Sequence, residues 1–334
     1  MRKIVLKAFG GPEVLALEDV PEPTAPAGGW VVDVRAIGLN FAEVVERRGK
    51  YRKDQELPYE IGKECAGVVV AAGPDAPTRE QGGFDVGERA IVIRTRGGCY
   101  AERVTAVPGR ILRPPAHLDD REAAAFAIAF CTSWYAQEEL ARVRPGEAVL
   151  VQAAAGATGS AAVTLALARG CGPVVGVAGG STKRDFVLAL GAHACADHRA
   201  DDFRDVVRSA TDGRGVAYCL ESVGGDVFSR SLECLAPKGR LVLIGFSSIA
   251  DDYGDAVRRV HPLSLFHRSL GLFGLNIENL DFPSDGAMWS ALTEFASEHR
   301  LRPALGPVFP LAEAAAAHTA IESRSTHGKV LLVP

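Results

Sequence analysis

No stretch of this chain is long and apolar enough to span a bilayer, which takes about 20 consecutive apolar residues. A strong excess of one charge is also missing. The net charge is −4, which excludes nucleic acid or an anionic membrane as a general partner. The seven cysteines (Cys65, Cys99, Cys131, Cys171, Cys195, Cys219 and Cys234) are odd in number and scattered, and no two form a C-x-x-C pair. This excludes a disulfide framework and a zinc knuckle, and it predicts buried thiols in a reducing cytoplasm. No G-x-S-x-G elbow marks a serine nucleophile. Cys131 has no base in neighbouring sequence and reads as a core thiol. The opening MRKIVLKAFG lacks a long apolar run and a small-residue cleavage site, so it reads as a first strand rather than a signal peptide.

The 334 residues, 47% hydrophobic and 23% charged, exceed what one core usually takes and predict two domains. Residues 1–115 read as strands and turns, interrupted by a helix over 41–48. From about Asp119 the rhythm changes. An alanine-rich helical stretch over 121–142 leads to the strand-like VLVQ. Short apolar strands then alternate with helices, the pattern of a parallel sheet covered on both faces. The tail predicts a helix over 288–299, a strand over 306–309, a helix over 311–323 and a last strand over 329–333.

The run VLVQAAAGATGSAA ends a strand in very small residues and restarts as a helix. Set against G-x-G-x-x-G, Ala154 takes the first place, Gly156 the second and Gly159 the third. These places serve a tight turn, close approach to a pyrophosphate, and close helix–strand packing. Main-chain amides of Ala155, Gly156, Ala157, Thr158 and Gly159 would then face the phosphates at a helix N-terminus. The next strand ends in GVAGGSTKRD. Gly179 stands where an acid for a ribose 2′-hydroxyl would be, followed by Ser181, Lys183 and Arg184. A cation and a hydroxyl receive a 2′-phosphate that a carboxylate would repel, so NADPH is expected over NADH. The other reading of Lys183 and Arg184 is a solvated helix start.

The segments GLNFAEVVERRGKY (38–51), LPYEIGKECAGVV (57–69), DVGERA (85–90), AAAGATGSAA (153–162), LESVGGDVFSRSLECLAPKGRLVLIGFSS (220–248) and ESRSTHGKVLL (322–332) carry a resemblance over almost the whole chain. Together they resemble the zinc-independent quinone oxidoreductases of the medium-chain dehydrogenase/reductase superfamily. The resemblance implies an α/β fold. A GroES-like β-rich catalytic domain would take residues 1–122 and 273–334, and a Rossmann doubly wound parallel sheet binding NADPH would take 123–272. The catalytic cleft would lie between them. It further implies a homodimer pairing Rossmann-sheet edges, with LFGLN (272–276) as the edge strand. Zinc-dependent members place ligands where this chain has Asn40, Lys63 (before Glu64) and the neighbourhood of Ile128. The lobe over about 75–105, which holds structural zinc elsewhere, has Cys99 alone. His261 and His267 lie six apart, not on one helical face. No metal is expected.

Without a Lewis acid, the resemblance implies hydride transfer from nicotinamide to a quinone or an α,β-unsaturated carbonyl, with negative charge developing on the carbonyl oxygen. Tyr51 matches a proton donor of related enoyl reductases, or it walls the pocket. Asn40 matches a polar residue at the nicotinamide, or it caps the helix from Phe41. Thr132 approaches the nicotinamide, or it caps a helix that follows it. Phe246, Phe273, Gly274 and Leu275 resemble nicotinamide-edge walls, with core aromatics as the other reading of the two phenylalanines. Arg324 matches a residue reaching the 2′-phosphate, or it is a surface cation. His198 stands where the family often has tyrosine beside that phosphate, or it is a surface imidazole. Lys63 either holds a developing oxyanion or makes a local ion pair with Glu64 or Glu60. The first expectation is therefore an NADPH-dependent, zinc-free reductase of quinones or enones. An enoyl-thioester reductase of fatty-acid or polyketide metabolism is the alternative within enzymes. An NADPH-binding structural or regulatory protein with little turnover is the alternative outside them.

Overall fold

The computed structural model describes residues 1–52, 54–248, 260–279 and 286–334. The chain divides into two compact units, Met1–Ile128 with Glu278–Pro334, and Ala129–Ile277. Among the described residues, no helix is long and apolar enough to cross a membrane, and the seven cysteine side chains are buried with no disulfide.

The first unit is built mostly on antiparallel strands, with Leu305–Pro310 paired parallel to Lys329–Val333. Its larger sheet runs in the order Leu305–Pro310, Lys329–Val333, Trp30–Gly38, Glu64–Ala72, Arg89–Ile93, Ile111–Leu112, with Arg103–Ala106 also paired to Trp30–Gly38. A smaller sheet orders Leu15–Asp19, Arg2–Leu6 and Tyr59–Glu60. Trp30 anchors the core. Its ring meets Phe84 edge-on at 5.8 Å and its indole N–H donates to the Phe84 carbonyl at 2.9 Å. The tail completes this unit. Lys329–Val333 pairs antiparallel with Trp30–Gly38, Leu331 against Gly38 and Leu332 against Ile37. That register brings Lys329 beside Glu64, which sits opposite Gly38 on the other flank of the same strand.

The helix Phe41–Arg47 starts at Asn40, whose main-chain N–H donates to Glu43 Oε2 at 2.9 Å, one half of a capping box. Asn40 thus occupies the cap position. This short helix buries Glu43, Glu46 and Arg47 together with two valines. Buried charges need partners, and those partners form the site described below.

The second unit is a six-stranded sheet in the order Ala194–Asp197, Val174–Ala178, Val149–Val151, Val216–Glu221, Leu235–Leu243, Gly271–Gly274, every pairing parallel. The helices Ala157–Ala168, Ser181–Ala189, Phe203–Ala210 and Gly225–Glu233 alternate with these strands. The central Val149–Val151 is buried throughout, which is why it reads as a continuous apolar run. Strand order reverses beside it, and ligands of such sheets collect at that switch point. The predicted helix over 121–142 is the α-helix Asp120–Trp134 followed by a π-helical Tyr135–Leu140. Thr132 lies inside that α-helix, so the reading of it as a cap fails.

Candidate functional site

The chain leaves Val151 through a turn with Ala153 in the left-handed region at φ +48° and Ala153 O accepting from Gly156 N at 2.9 Å. Ala154 is buried and donates to Val177 O at 2.9 Å, which ties the turn to the neighbouring strand. Alanine therefore serves where the first glycine would stand. Gly156 caps the helix Ala157–Ala168 with no side-chain hydrogen bond, leaving its first-turn amides without that acceptor. A Cβ on Gly156 would meet nothing nearer than Ala153 O at 3.4 Å. The fold itself does not require glycine there, and the space a side chain would fill lies at the helix N-terminus. Gly159 differs. A Cβ there would stand 2.3 Å from Ala153 O and 2.8 Å from Ala154 Cα, so helix–turn packing demands it. A bare N-terminus with a vacant approach suits a pyrophosphate. Ser133 supports the turn by donating to Thr158 O at 3.0 Å.

Past Ala178, Gly180 has φ +89°. Asp197, paired with Ala178 on the next strand, spends one carboxylate oxygen on the main-chain N–H groups of Gly180 (2.7 Å) and Arg199 (3.1 Å). Those two hydrogen bonds hold its carboxyl below the usual range. His198 Nε2 packs where a Gly179 Cβ would be, at 2.6 Å, so Gly179 is explained by the imidazole. Arg199 Nη1 lies 3.4 Å from the Cβ position of Gly180. This guanidinium was not read from the sequence; the signal was DHR directly after the strand Ala194–Asp197. Ser181 and Lys183 open the helix Ser181–Ala189, and Arg184 is paired with Asp185.

In the first unit, Lys63 is buried and its ammonium has three acceptors: Glu46 Oε1 at 2.7 Å, Glu278 Oε1, and Thr95 O at 3.1 Å. The expected partners were wrong. Glu64 pairs with Lys329 and Glu60 with Lys3. Three donors meeting three acceptors leave none for a substrate oxyanion, which corrects the oxyanion reading of Lys63. The ammonium instead lies 4.7 Å from the Tyr51 ring centroid. The Tyr51 hydroxyl bonds Glu278, and burial with the Glu278 and Glu46 charges raises its pKa. Arg52 holds Glu278 Oε2 and also donates to Thr95 O at 2.7 Å. Burial pushes the Glu278 carboxyl up, but Lys63 and Arg52 together pull it below the ordinary value.

Asn40, Tyr51 and Lys63 are joined through acidic side chains that sequence reading missed. Glu43 accepts from Lys63 N (2.9 Å) and from the Tyr100 hydroxyl (2.7 Å), and that hydroxyl lies 3.2 Å from His318 Nε2. Burial and then Arg47 push His318 down to about 3, so it is neutral. Glu43 and Glu46 lie three apart on one face of a seven-residue helix whose Val44 and Val45 are buried as well, so the helix has no wholly solvated side in this stretch.

The positions where the resemblance implies zinc ligands in zinc-dependent members are occupied here by Asn40 and Lys63, and Asn40 belongs to a second buried network. Lys329 Nζ bridges Asn40 Oδ1 (2.7 Å) and Glu64 Oε1, and Glu64 Oε2 accepts from Ile128 N at 2.9 Å. An amide, an ammonium and a main-chain N–H do not suit a zinc ion. No group of three or more His, Cys, Asp or Glu suited to a metal occurs among the described residues.

Phe246, 41% exposed, lies against Gly224, and Phe273 is half-buried on the last strand of the sheet; neither is a plain core aromatic. Gly274 is exposed, and Leu275 is buried with its N–H donating to Leu243 O at 2.8 Å. Arg324 is exposed after the helix Ala314–Glu322, at φ +53°.

An antiparallel β-rich unit joined to a doubly wound parallel sheet with a glycine turn at its switch point is the build of a medium-chain dehydrogenase/reductase, an oxidoreductase. The family described as alcohol dehydrogenase GroES-like domain matches residues 26–112, and the family described as zinc-binding dehydrogenase matches 190–332. The quinone oxidoreductase of Sus scrofa is 30% identical over 335 residues, covering 100% of this chain and 98% of that protein. The quinone oxidoreductase of Thermus thermophilus, solved also in complex with NADPH, is 38% identical with TM-score 0.83 and full coverage of both chains. The CurK enoyl reductase is 26% identical with TM-score 0.85, covering 99% of this chain and 98% of that one. The chain belongs to the quinone oxidoreductase family of the medium-chain dehydrogenase/reductase superfamily.

Proposed function

We propose that this protein is an NADPH-dependent, metal-free reductase of quinones or α,β-unsaturated carbonyls. The observation that carries the reading is that Asn40, at a position where zinc-dependent relatives are expected to place a ligand, is tied together with Glu64 to the buried Lys329 ammonium. That set is already neutralised, and it leaves charge stabilisation to positioned side chains. NADPH, when bound, supplies a hydride. The amides of residues 156–159 hold the pyrophosphate, while Ser181, Lys183, His198 and Arg199 receive the 2′-phosphate, assisted by Arg324. Asp197, engaged with the main chain, stays out of the ribose's way. Thr132, Phe246 and residues 273–275 shape the nicotinamide's surroundings. When substrate arrives, the Tyr51 hydroxyl exchanges its hydrogen bond to Glu278 for one to the developing oxyanion, while Lys63 and Arg52 keep Glu278 satisfied and Lys63 stays against the Tyr51 ring. Burial keeps that hydroxyl protonated at working pH.

Purified protein should consume NADPH with a 1,4-quinone or a small enone and prefer it to NADH. Cofactor binding without consumption across quinones, enones and acyl-thioesters would reject the proposal. Discrimination is tested separately. Lys183→Glu and Arg199→Glu should each weaken NADPH binding about 10- to 100-fold by calorimetry, with NADH changed much less. Equal effects on both cofactors would remove the 2′-phosphate assignment. The strand Gly271–Gly274 ends the sheet's order and suits pairing with a second copy; Leu272→Pro should then convert a dimer to a monomer by light scattering.

A further inference from the structure

Glu46 holds one carboxyl oxygen in reserve. Its Oε1 accepts from Lys63 and lies 3.4 Å from the Tyr59 hydroxyl, while Oε2 is buried and accepts no hydrogen bond among the described residues. A buried carboxylate oxygen without a donor is costly when charged and costs far less as a hydroxyl. Around it stand Lys63 on the strand Glu64–Ala72's leading edge, Glu278 and Arg52, Tyr59 on the strand Tyr59–Glu60, and Glu43 one turn earlier on its own helix. Glu43 has both oxygens engaged by donors. The next residue, Arg47, is turned to Glu322 instead.

We propose that Glu46 is a positioning residue of the reaction: its protonation turns the balanced Lys63–Arg52–Glu46–Glu278 set around Tyr51 into one with a positive charge in excess. With both carboxylates ionised, two cations face two anions. When Glu46 takes a proton from water, one O–H bond forms and Lys63 keeps a single counter-ion, Glu278. The Tyr51 hydroxyl then sits in a field that favours an anionic enolate or hydroquinone. The two carboxylates on Lys63 are not equivalent. Glu278 is held ionised by two cations against its burial. Glu46 has one cation in hydrogen-bond contact, Lys63, and burial outweighs it, pushing this carboxyl up to about 7. The change of charge therefore falls in the neutral range.

This inference rests on the reading of Tyr51 given under Proposed function, and two measurements separate them. The first needs no turnover. In protein labelled at tyrosine Cζ, the Tyr51 carbon resonance, assigned through Tyr51→Phe, should titrate with a midpoint near 7. In Glu46→Gln, which keeps the shape and fixes the neutral form, that titration should vanish. The second is the pH profile. For the unaltered protein, kcat should fall about tenfold as pH rises through the same midpoint, whereas Glu46→Gln should stay on the acid plateau to pH 8 with KM for NADPH unchanged. A Tyr51 resonance that does not respond between pH 5 and 8, or a profile that Glu46→Gln leaves unaltered, overturns the proposal. A titrating Tyr51 in a protein that turns over no acceptor upholds the Glu46 assignment and rejects the reductase reading instead.

Discussion

Gly156→Val should weaken dinucleotide binding by at least about 100-fold while leaving the protein folded. The backbone at Gly156 is extended, with φ −78°, so valine is not strained there. A Cβ would find its nearest neighbour at 3.4 Å, ordinary van der Waals separation. What valine would occupy is the approach to the first-turn amides of Ala157–Ala168. Hydrogen bonds from such amides to a charged oxygen contribute about 1.5–3 kcal/mol each, so losing two accounts for the expected effect. The cost to folding is the poorer cap, about 1 kcal/mol, or a melting shift of roughly 2–4 °C in a chain of this size. Gly159→Val provides the contrast. Its Cβ would collide with main-chain atoms at 2.3 and 2.8 Å, which cannot move without displacing the turn. That variant should lose stability and binding together. Calorimetry and thermal melts on the pair decide the matter. If Gly156→Val binds within threefold of the unaltered protein, the pyrophosphate does not lie at this turn.

The contrast also shows how far sequence reasoning reaches. The pattern A-x-G-x-x-G after a strand singled out Gly159, because close helix–turn packing is a local demand on a few consecutive residues. The parallel sheet was legible for the same reason: Val149–Val151 is buried on both faces and reads as an unbroken apolar run. The acid–base cluster was not. Lys63 finds Glu46 17 positions back and Glu278 215 positions ahead, and nothing in the spacing of LPYEIGKECAG announces either. Nearby Glu64 and Glu60 were the natural guesses. The strands point them elsewhere, Glu64 to a lysine arriving from the C-terminal strand and Glu60 to Lys3. Arg199 was missed because its guanidinium folds back over Gly180 from the next strand's end, a contact set by tertiary register. Local chemistry is written in local sequence, whereas buried ion pairs are made by topology.

Lys329→Met should be the most destabilising single change among the polar residues, about 3–5 kcal/mol. Lys329 and Glu64 are both essentially inaccessible, at 1% and 0% exposure. The ammonium also holds Asn40 Oδ1 at 2.7 Å. Removing it leaves Glu64 with the Ile128 N–H at 2.9 Å and the Asn40 amide at 3.2 Å, two neutral donors for a buried charge. The expected fall in melting temperature is on the order of 10 °C. Exposed pairs behave differently. Arg208–Asp205, with both side chains over two-thirds exposed, is screened by water, and Arg208→Ala should change little. The double variant Glu64→Gln/Lys329→Met separates a lost attraction from a stranded charge. If the cost is the stranded carboxylate, the double variant should recover most of the stability lost by Lys329→Met, and the cycle should show a coupling of about 2 kcal/mol or more. Additive losses would mean that the ammonium acts through packing alone. The effect should also travel along the helix Phe41–Arg47. Asn40 caps that helix, and Glu43 and Glu46 ride on it, so loosening Asn40 should lower kcat at pH 7 more than it raises KM for NADPH, whose proposed binding residues lie mainly in the other unit. Equal changes in both would separate the Lys329 network from the Tyr51 cluster.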